Sequence, residues 1–322
     1  MKFITNSKVD SNLLKKIDCL LLPVWLSEKD GKGVFGGMFA KLHKNDQALI
    51  KKSFEDVKLK PGVVKLIRLN TVPSAVFIAG LDTLTERKFM LLVRQFVRTA
   101  KAEGFKNLGV YCDDFERGNI DAVQAVKIIA EQSLVAHFDF SEHFKTAPKD
   151  GWKNIENCYC LSYHDAEALE AGIANGEIMG NAVNACRMLS AYPPGDMTPS
   201  GMAEHAQSLA KISKKLTVTI FDEVKLKSEG MNAILAVGKG SASPPRLIIM
   251  EYKGGKDADA PIVFVGKGVT FDSGGLNLKP GEGMADMHMD MSGGAAVIET
   301  MEVIAKLNLP VNVVALVPAA EN

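Results

Sequence analysis

The chain has 322 residues, of which 47% are hydrophobic and 24% charged, and its 38 basic side chains balance 38 acidic ones. These proportions are ordinary for a globular protein. A net charge of zero provides no overall field to attract nucleic acid or an anionic membrane, so we expect neither as a partner. At roughly 150 residues per domain, the length predicts two domains.

The cysteines and the N-terminal residues indicate the compartment. The five cysteines are odd in number and contain no C-x-x-C pair, which favours reduced thiols over a disulfide framework. The apolar run from Cys19 to Trp25 is short and is interrupted by Pro23. It therefore resembles neither a signal peptide nor a membrane span. The sequence predicts a cytoplasmic protein.

The first half has the pattern of an α/β domain. A predicted helix from Thr85 to Glu103 places four large apolar residues on one face, at 89, 92, 93 and 96. The pair Asp113-Asp114 follows a predicted strand and could bind a metal, although a solvated turn is the interpretation we favour. The other predicted elements are strands at Ile17–Val24, Val63–Leu69, Ala75–Ala79 and Leu108–Tyr111 and a helix at Asp121–Gln132.

A run of turn-forming residues, Pro148-Lys149-Asp150-Gly151, marks the predicted domain boundary. It gives an N-terminal α/β domain at 1–150, a linker at 151–163 and a second domain at 164–322. A long helix is predicted after the linker. Its glycines at 172, 176 and 180 lie on one face, and we expect that face to pack closely against a sheet.

The second half alternates helices and strands, which is typical of a three-layer α/β/α domain. The run Ile262–Val265 is continuous and apolar, so it predicts a strand buried on both faces. Pro310 ends the last predicted helix. The other predicted elements are a helix at Ser200–Lys211, strands at Leu216–Phe221, Ile234–Val237 and Arg246–Tyr252, a helix at Gly294–Leu307 and a strand at Val311–Val317.

Two lysines and two aspartates, Lys267, Asp272, Lys279 and Asp290, follow the 262–265 strand in a glycine-rich stretch. Ligands of α/β proteins bind beyond the carboxyl ends of the strands, so this stretch indicates a site. A Walker loop would need serine or threonine after Lys267, and a dinucleotide fingerprint would need glycine in place of Phe271. Neither condition is met.

A metal site is the better interpretation of this stretch. Carboxylate oxygens suit Mg²⁺, Mn²⁺ or Zn²⁺, and the two oxygens of Asp272 could bridge two ions. Lys267 would have to be neutral to act as a ligand. A salt bridge between Lys267 and Asp272 would explain the same residues. Asp290 could simply stabilise the start of a helix.

The same stretch resembles the leucyl aminopeptidase (cytosol aminopeptidase) family of dinuclear metallopeptidases. The matching strings are VGKGVTFDSGG at 265–275, KP at 279–280 and MHMDMSGGAA at 287–296. Weaker similarity covers 192–199 and 230–246. The resemblance implies an aminopeptidase that removes N-terminal residues of the leucine type from peptides, and it implies a hexamer.

The resemblance also implies a role for each residue of the stretch. Lys267, Asp272 and Asp290 would hold two divalent ions, Mn²⁺ or Zn²⁺, with Asp272 bridging them. Lys279 would be the catalytic lysine that polarises the scissile carbonyl. Met287 would lie beside the pocket for the first side chain of the substrate.

One departure from the family is large. Family members continue into an Asn-Thr-Asp-Ala-Glu-Gly-Arg motif that supplies two further carboxylate ligands and a catalytic arginine, and these 322 residues do not contain it. We therefore expect a catalytic domain that is incomplete at its C-terminal end. The alternative to a working peptidase is an inactive aminopeptidase-like protein that folds or assembles without hydrolysis.

Overall fold

The computed structural model describes residues 1–27, 32–57, 60–141, 146, 148–149 and 151–322. It is an α/β structure, as predicted, and it divides into two compact units, Met1–Gly180 and Asn181–Asn322. The predicted linker at 151–163 contains a strand of the first unit, and the predicted domain limits stay a prediction. In the described residues, no helix is long and apolar enough to cross a membrane.

The first unit is built on a mostly parallel sheet. Its described strands have the order β1-β7-β6-β2-β5-β4, with β3 paired to β2, and only β3 and β4 run antiparallel to their neighbours. The central strand β2 is buried from Cys19 to Trp25, as expected for an apolar run inside a sheet. The strands are β1 Lys2–Asn6, β2 Cys19–Leu26, β3 Gly33–Phe35, β4 Val64–Arg68, β5 Ala75–Leu81, β6 Asn107–Tyr111 and β7 Asn157–Leu161.

Helices connect these strands. The helix predicted at Thr85–Glu103 is observed at Glu86–Glu103. Thr85 caps its start by accepting a hydrogen bond from the Lys88 amide, and Gly104 ends it in a left-handed conformation. The predicted apolar face of that helix is buried. The helices of this part of the chain are α1 Ser11–Leu14, α2 Lys44–Val57, α3 Glu86–Glu103, α4 Ala122–His137 and α5 Ala166–Ala191, of which α5 continues into the second unit.

The glycine face of α5 packs against a helix, so the predicted sheet partner is wrong. A Cβ added at any of its three glycines would lie between 2.3 and 2.9 Å from a carbonyl oxygen of α4. The three carbonyl groups are spaced four residues apart along α4, as the three glycines are along α5. The two helix backbones can approach closely because the α5 residue opposite each carbonyl is glycine. The pairs are Gly172 with Val123, Gly176 with Lys127 and Gly180 with Glu131.

The second unit has a mixed sheet of order β10-β12-β9-β8, with β11 also paired to β12. Strands β10 and β11 run parallel to β12, whereas β9 runs antiparallel to both β12 and β8. The strands are β8 Leu216–Phe221, β9 Arg246–Lys253, β10 Ile262–Val265, β11 Gly268–Phe271 and β12 Asn312–Glu321. The helices are α6 Pro199–Leu209, α7 Glu223–Ser228, α8 Asn232–Val237, α9 Gly281–Met284 and α10 Ser292–Lys306.

Two predictions for this unit are wrong. The predicted strand at 234–237 is part of helix α8, because a short apolar run has no period that separates strand from helix. Strand β10 is not buried on both faces: Ile262, Val263 and Val265 are 51%, 56% and 70% exposed. Its only pairing among the described residues is with β12, so it forms an edge of the sheet.

Candidate active site

The site begins at a break between two strands. Strands β10 and β11 follow one another along the same edge of β12, and Gly266 and Lys267 lie between them. A Cβ at Gly266 would lie 2.7 Å from the carbonyl oxygen of Gly293, at the start of α10. Gly294 donates its N–H to the carbonyl of Lys267 over 2.7 Å. Gly266 between the strands and Gly293 and Gly294 in the helix therefore allow the first turn of α10 to pack against the segment between β10 and β11.

This approach brings Asp290 to Lys267. The Lys267 Nζ lies 2.6 Å from Asp290 Oδ2, so the predicted pairing of Lys267 with Asp272 is wrong. Met291, the residue that precedes α10, makes no side-chain capping bond. Asp290 stands one residue earlier, and its carboxylate faces a cation.

Asp272 pairs with the second lysine of the stretch. The chain turns after β11 through Gly274 and Gly275, whose φ angles are +97° and +73° and favour glycine. The turn returns Lys279 to Asp272, where Nζ lies 2.5 Å from Oδ2. The other carboxylate oxygen of Asp272, Oδ1, accepts hydrogen bonds from the Gly274 N–H at 3.0 Å and the Asn322 side chain at 2.8 Å.

Lys279 also connects the two halves of the site. Its Nζ lies 3.2 Å from the sulfur of Met287, and Met287 begins the short 3-10 helix Met287–Met289 that leads directly into Asp290. The four charged residues therefore form two ion pairs, Lys267–Asp290 and Lys279–Asp272, and the 3-10 helix that begins at Met287 leads along the chain from the second pair to the first. The predicted set of five residues forms one connected arrangement.

The electrostatics of Asp272 favour its charged form. The hydrogen bond from Lys279 holds the pKa of the Asp272 carboxyl below its ordinary value of 3.8, and the hydrogen bonds from Asn322 and Gly274 also lower this pKa. Partial burial of the carboxyl raises the pKa, but by less. A carboxylate must be deprotonated to bind a metal. Asp272 meets this requirement at neutral pH.

The buried oxygen of Asp290 is suited to a metal ion. Asp290 Oδ2 is buried and has no hydrogen-bond partner among the described residues. Lys267 Nζ is close to it, but the contact lacks hydrogen-bond geometry. The ion pair with Lys267 offsets the cost of burying this charged oxygen, and a divalent cation could bind at the same oxygen. The donor chemistry of Asp290 and Asp272, two carboxylates that each lie beside a lysine, suits a divalent metal.

Some partners in the site could not be found from the sequence. Asn322 holds Asp272 from 50 residues away, and no motif marks it. The carboxylate of Glu321 is not aimed at these residues and instead accepts a hydrogen bond from the Ser241 hydroxyl at 2.7 Å. Glu282 and Asp286 lie in the right part of the chain but are exposed.

Comparison with known proteins places this arrangement in a family. Residues 184–322 match the cytosol aminopeptidase family, catalytic domain. A probable cytosol aminopeptidase of Syntrophotalea carbinolica is 35% identical over 319 residues, which cover 96% of this chain and 63% of that protein. The chain spans about half the length of the curated relatives that it matches.

Two solved structures share the fold. A mutant of tomato leucine aminopeptidase superposes with a TM-score of 0.80 at 22% identity, covering 100% of this chain and 63% of that one. The bottromycin maturation enzyme BotP, solved in complex with Mn, superposes with a TM-score of 0.73 at 24% identity, covering 95% and 60%. The chain is similar to cytosol aminopeptidases over 96% of its length, and its residues 184–322 match the catalytic domain of that family.

Proposed function

We propose that this chain carries the metal-binding part of the active site of an aminopeptidase. The enzyme would remove N-terminal residues of the leucine type from peptides. The observation that carries the proposal is the connected set of Lys267, Asp272, Lys279, Met287 and Asp290, with a buried oxygen of Asp290 that has no hydrogen bond. The family match supports the reaction class.

We propose that Asp272, Asp290 and Lys267 would hold two divalent ions, Mn²⁺ or Zn²⁺, and that Asp272 would be a ligand of both. The complex of BotP with Mn supports this choice of metal class. Such ions supply an activated water and an electrophile for the developing alkoxide. Lys267 becomes a ligand only after its ammonium loses a proton.

Lys279 has a separate role in this proposal. Its ammonium is held by Asp272 and is 30% exposed, so it can reach a substrate as well as its partner. A cation aimed at the scissile carbonyl oxygen stabilises the charge that develops there. Met287 touches Lys279, and its flexible apolar side chain suits a pocket wall for the first substrate residue.

An inactive, aminopeptidase-like protein is the second candidate. Only two carboxylates, Asp272 and Asp290, face the lysines of the site among the described residues. Two ions require more oxygen ligands than two aspartates supply. We therefore expect the 322-residue chain alone to bind metal weakly and to show no appreciable hydrolysis.

A hybrid protein separates the two candidates. The test joins this chain, through Asn322, to the remaining part of the Syntrophotalea carbinolica relative and assays leucine anilide with Mn²⁺. We expect turnover of leucine anilide by the hybrid, and none of its N-acetyl derivative, because the free α-amino group is part of recognition. A folded, metal-loaded hybrid without turnover would support the inactive candidate instead.

Lys279 can be tested in the same hybrid. Lys279→Ala should lower kcat by about 10²–10³-fold, the usual cost of one transition-state donor, while the metal content stays unchanged. The matched control is Lys239→Ala, an exposed lysine of the same unit. A near-normal rate for Lys279→Ala would remove this residue from the mechanism.

The family resemblance also supports a cytoplasmic, hexameric protein as part of the proposal. Sedimentation velocity of the hybrid would show a species of six chains. A monomer at micromolar concentration would contradict the hexamer without affecting the proposed chemistry.

A further inference from the structure

The residues that follow β6 do not form the solvated turn that the sequence favours. Cys112–Gly118 is a 3-10 helix, and the Asp113 side chain is only 6% exposed. The neighbouring Asp114 is also buried, and its carboxylate accepts the N–H groups of Gly37 and Met38. Asp114 is therefore used within the fold, whereas Asp113 points to a different group of residues.

Asp113, Glu116 and His164 bring three possible ligand atoms together. His164 Nε2 lies 2.5 Å from Glu116 Oε1 and 4.0 Å from Asp113 Oδ1, and one ligand atom of each residue lies within 4.8 Å of the others. Asp113 and His164 follow β6 and β7, which are adjacent and parallel. The cluster therefore stands at the carboxyl ends of the strands, where α/β sheets bind ligands.

Neighbouring groups fix the orientation of these side chains. The Ser162 hydroxyl donates to Asp113 Oδ1 at 2.5 Å, and the Tyr163 N–H donates to Oδ2 at 3.1 Å. The Tyr163 ring stacks on the His164 imidazole with 4.4 Å between centroids. Hydrogen bonds and packing that hold ligands in this way raise metal affinity, because less ordering is needed on binding.

The net negative charge of the cluster favours binding of a cation. Two carboxylates face a single imidazole, and in the described ranges no ion pair joins Asp113 or Glu116 to a lysine or arginine. His164 is 40% exposed and Glu116 33%, so an ion can enter from solvent. One imidazole nitrogen with two carboxylate oxygens suits Zn²⁺ and similar divalent transition metals.

We propose that Asp113, Glu116 and His164 form a binding site for a divalent transition-metal ion such as Zn²⁺, carried by the first unit and independent of the Asp272 and Asp290 site. Bonds of about 2.1 Å place neighbouring ligand atoms about 3–3.5 Å apart. The part-exposed Glu116 therefore moves slightly away from the imidazole when the ion binds.

Zn²⁺ alone is the probe, titrated calorimetrically into the full chain carrying Asp272→Asn and Asp290→Asn. We expect one ion per chain, and we expect His164→Gln and Glu116→Gln each to weaken binding by at least about tenfold. Glu167→Gln is the matched control, because it removes the same charge from an exposed position nearby. It should leave the affinity unchanged.

Substitution with Co²⁺ gives a second readout. Four-coordinate binding of Co²⁺ by the cluster should give a visible absorption band much stronger than that of the hydrated ion. His164→Gln should remove this band and Glu167→Gln should keep it, with thermal unfolding confirming that each variant is folded. Absence of Zn²⁺ binding by the parent chain would overturn the proposal. Equal affinities in parent, His164→Gln and Glu116→Gln would also overturn it and leave a histidine–glutamate ion pair as the role of the cluster.

Discussion

The sequence singles out the charged residues of the candidate site, whose role stays a prediction, but it does not show how they pair. Lys267, Asp272, Lys279 and Asp290 stand out by residue type and spacing. Which lysine meets which aspartate depends on how the chain turns at the two positive-φ glycines after Asp272 and on where α10 begins. Neither can be obtained from spacing alone, and the sequence therefore suggested the wrong salt bridge.

A buried carboxylate outside the site provides a test at the level of single residues. Glu299 on α10 is 3% exposed, its Oε1 lies 2.5 Å from His205 Nε2, and its Oε2 has no hydrogen-bond partner among the described residues. Burial raises the pKa of Glu299 above its ordinary 4.5, against the attraction of His205, while the neighbouring carboxylate of Glu302 raises it further. The Glu299 carboxylate therefore binds a proton more tightly in the folded state than in the unfolded state.

The part of the unfolding free energy that comes from Glu299 should therefore fall as pH rises from 4.5 through its raised pKa. The fall amounts to about 1.4 kcal/mol for each pH unit that separates the pKa values of the folded and unfolded states. Glu299→Gln should reduce this fall, measured as the free energy of unfolding in urea between pH 4.5 and 7.5. The control is Glu204→Gln, which is exposed and adjacent to His205 and should follow the parent. Parallel curves for parent and Glu299→Gln would contradict the prediction.

Among the secondary-structure elements, periodicity predicted most of what is observed. Helix α3 and strand β8 lie where their patterns place them, because an amphipathic helix and a compact β-branched run each carry their own signal. Strands β1 and β7 pair with each other but were not predicted. Each has only five residues, and pairing with distant strands stabilises them more than local propensity does.

The close contact of α4 and α5 should be sensitive to a single methyl group. A Cβ at Gly176 would lie 2.3 Å from the Lys127 carbonyl oxygen and 2.9 Å from the Ala130 Cβ. Gly176→Ala should therefore destabilise the protein by about 1–3 kcal/mol, the usual cost of overpacking, although alanine has the higher helix propensity. Urea unfolding measures the difference.

Asn175→Ala is the matched control for this substitution. Asn175 is exposed and precedes Gly176 on the same helix, so its replacement should change stability by no more than about 0.5 kcal/mol. A Gly176→Ala variant that is as stable as the control, or more stable, would show that the two helices separate without cost.

For the molecule as a whole, the exposed strand β10 has the clearest consequence. Its valines and isoleucine are more than half exposed, and an apolar sheet edge favours association between chains. We expect the chain to self-associate on size-exclusion chromatography. Val263→Lys should shift it toward monomer with a change in unfolding free energy of no more than about 0.5 kcal/mol.

Val263→Ala provides the comparison for that experiment, because it shortens the side chain without adding charge. It should leave most of the self-association in place. A parent chain that elutes as a monomer at all concentrations would contradict the role assigned to this edge.

Asp272 and Asp290 are proposed to hold a divalent cation, and Mn²⁺ binding can be followed by electron paramagnetic resonance. The titration uses the full chain carrying both Glu116→Gln and His164→Gln, so that the site proposed in the first unit loses two of its three ligands. Asp272→Asn and Asp290→Asn should each weaken Mn²⁺ binding by at least about tenfold, whereas Asp286→Asn, an exposed aspartate of the same stretch, should not. Equal Mn²⁺ affinities in all three variants and the parent would show that Asp272 and Asp290 do not hold the cation.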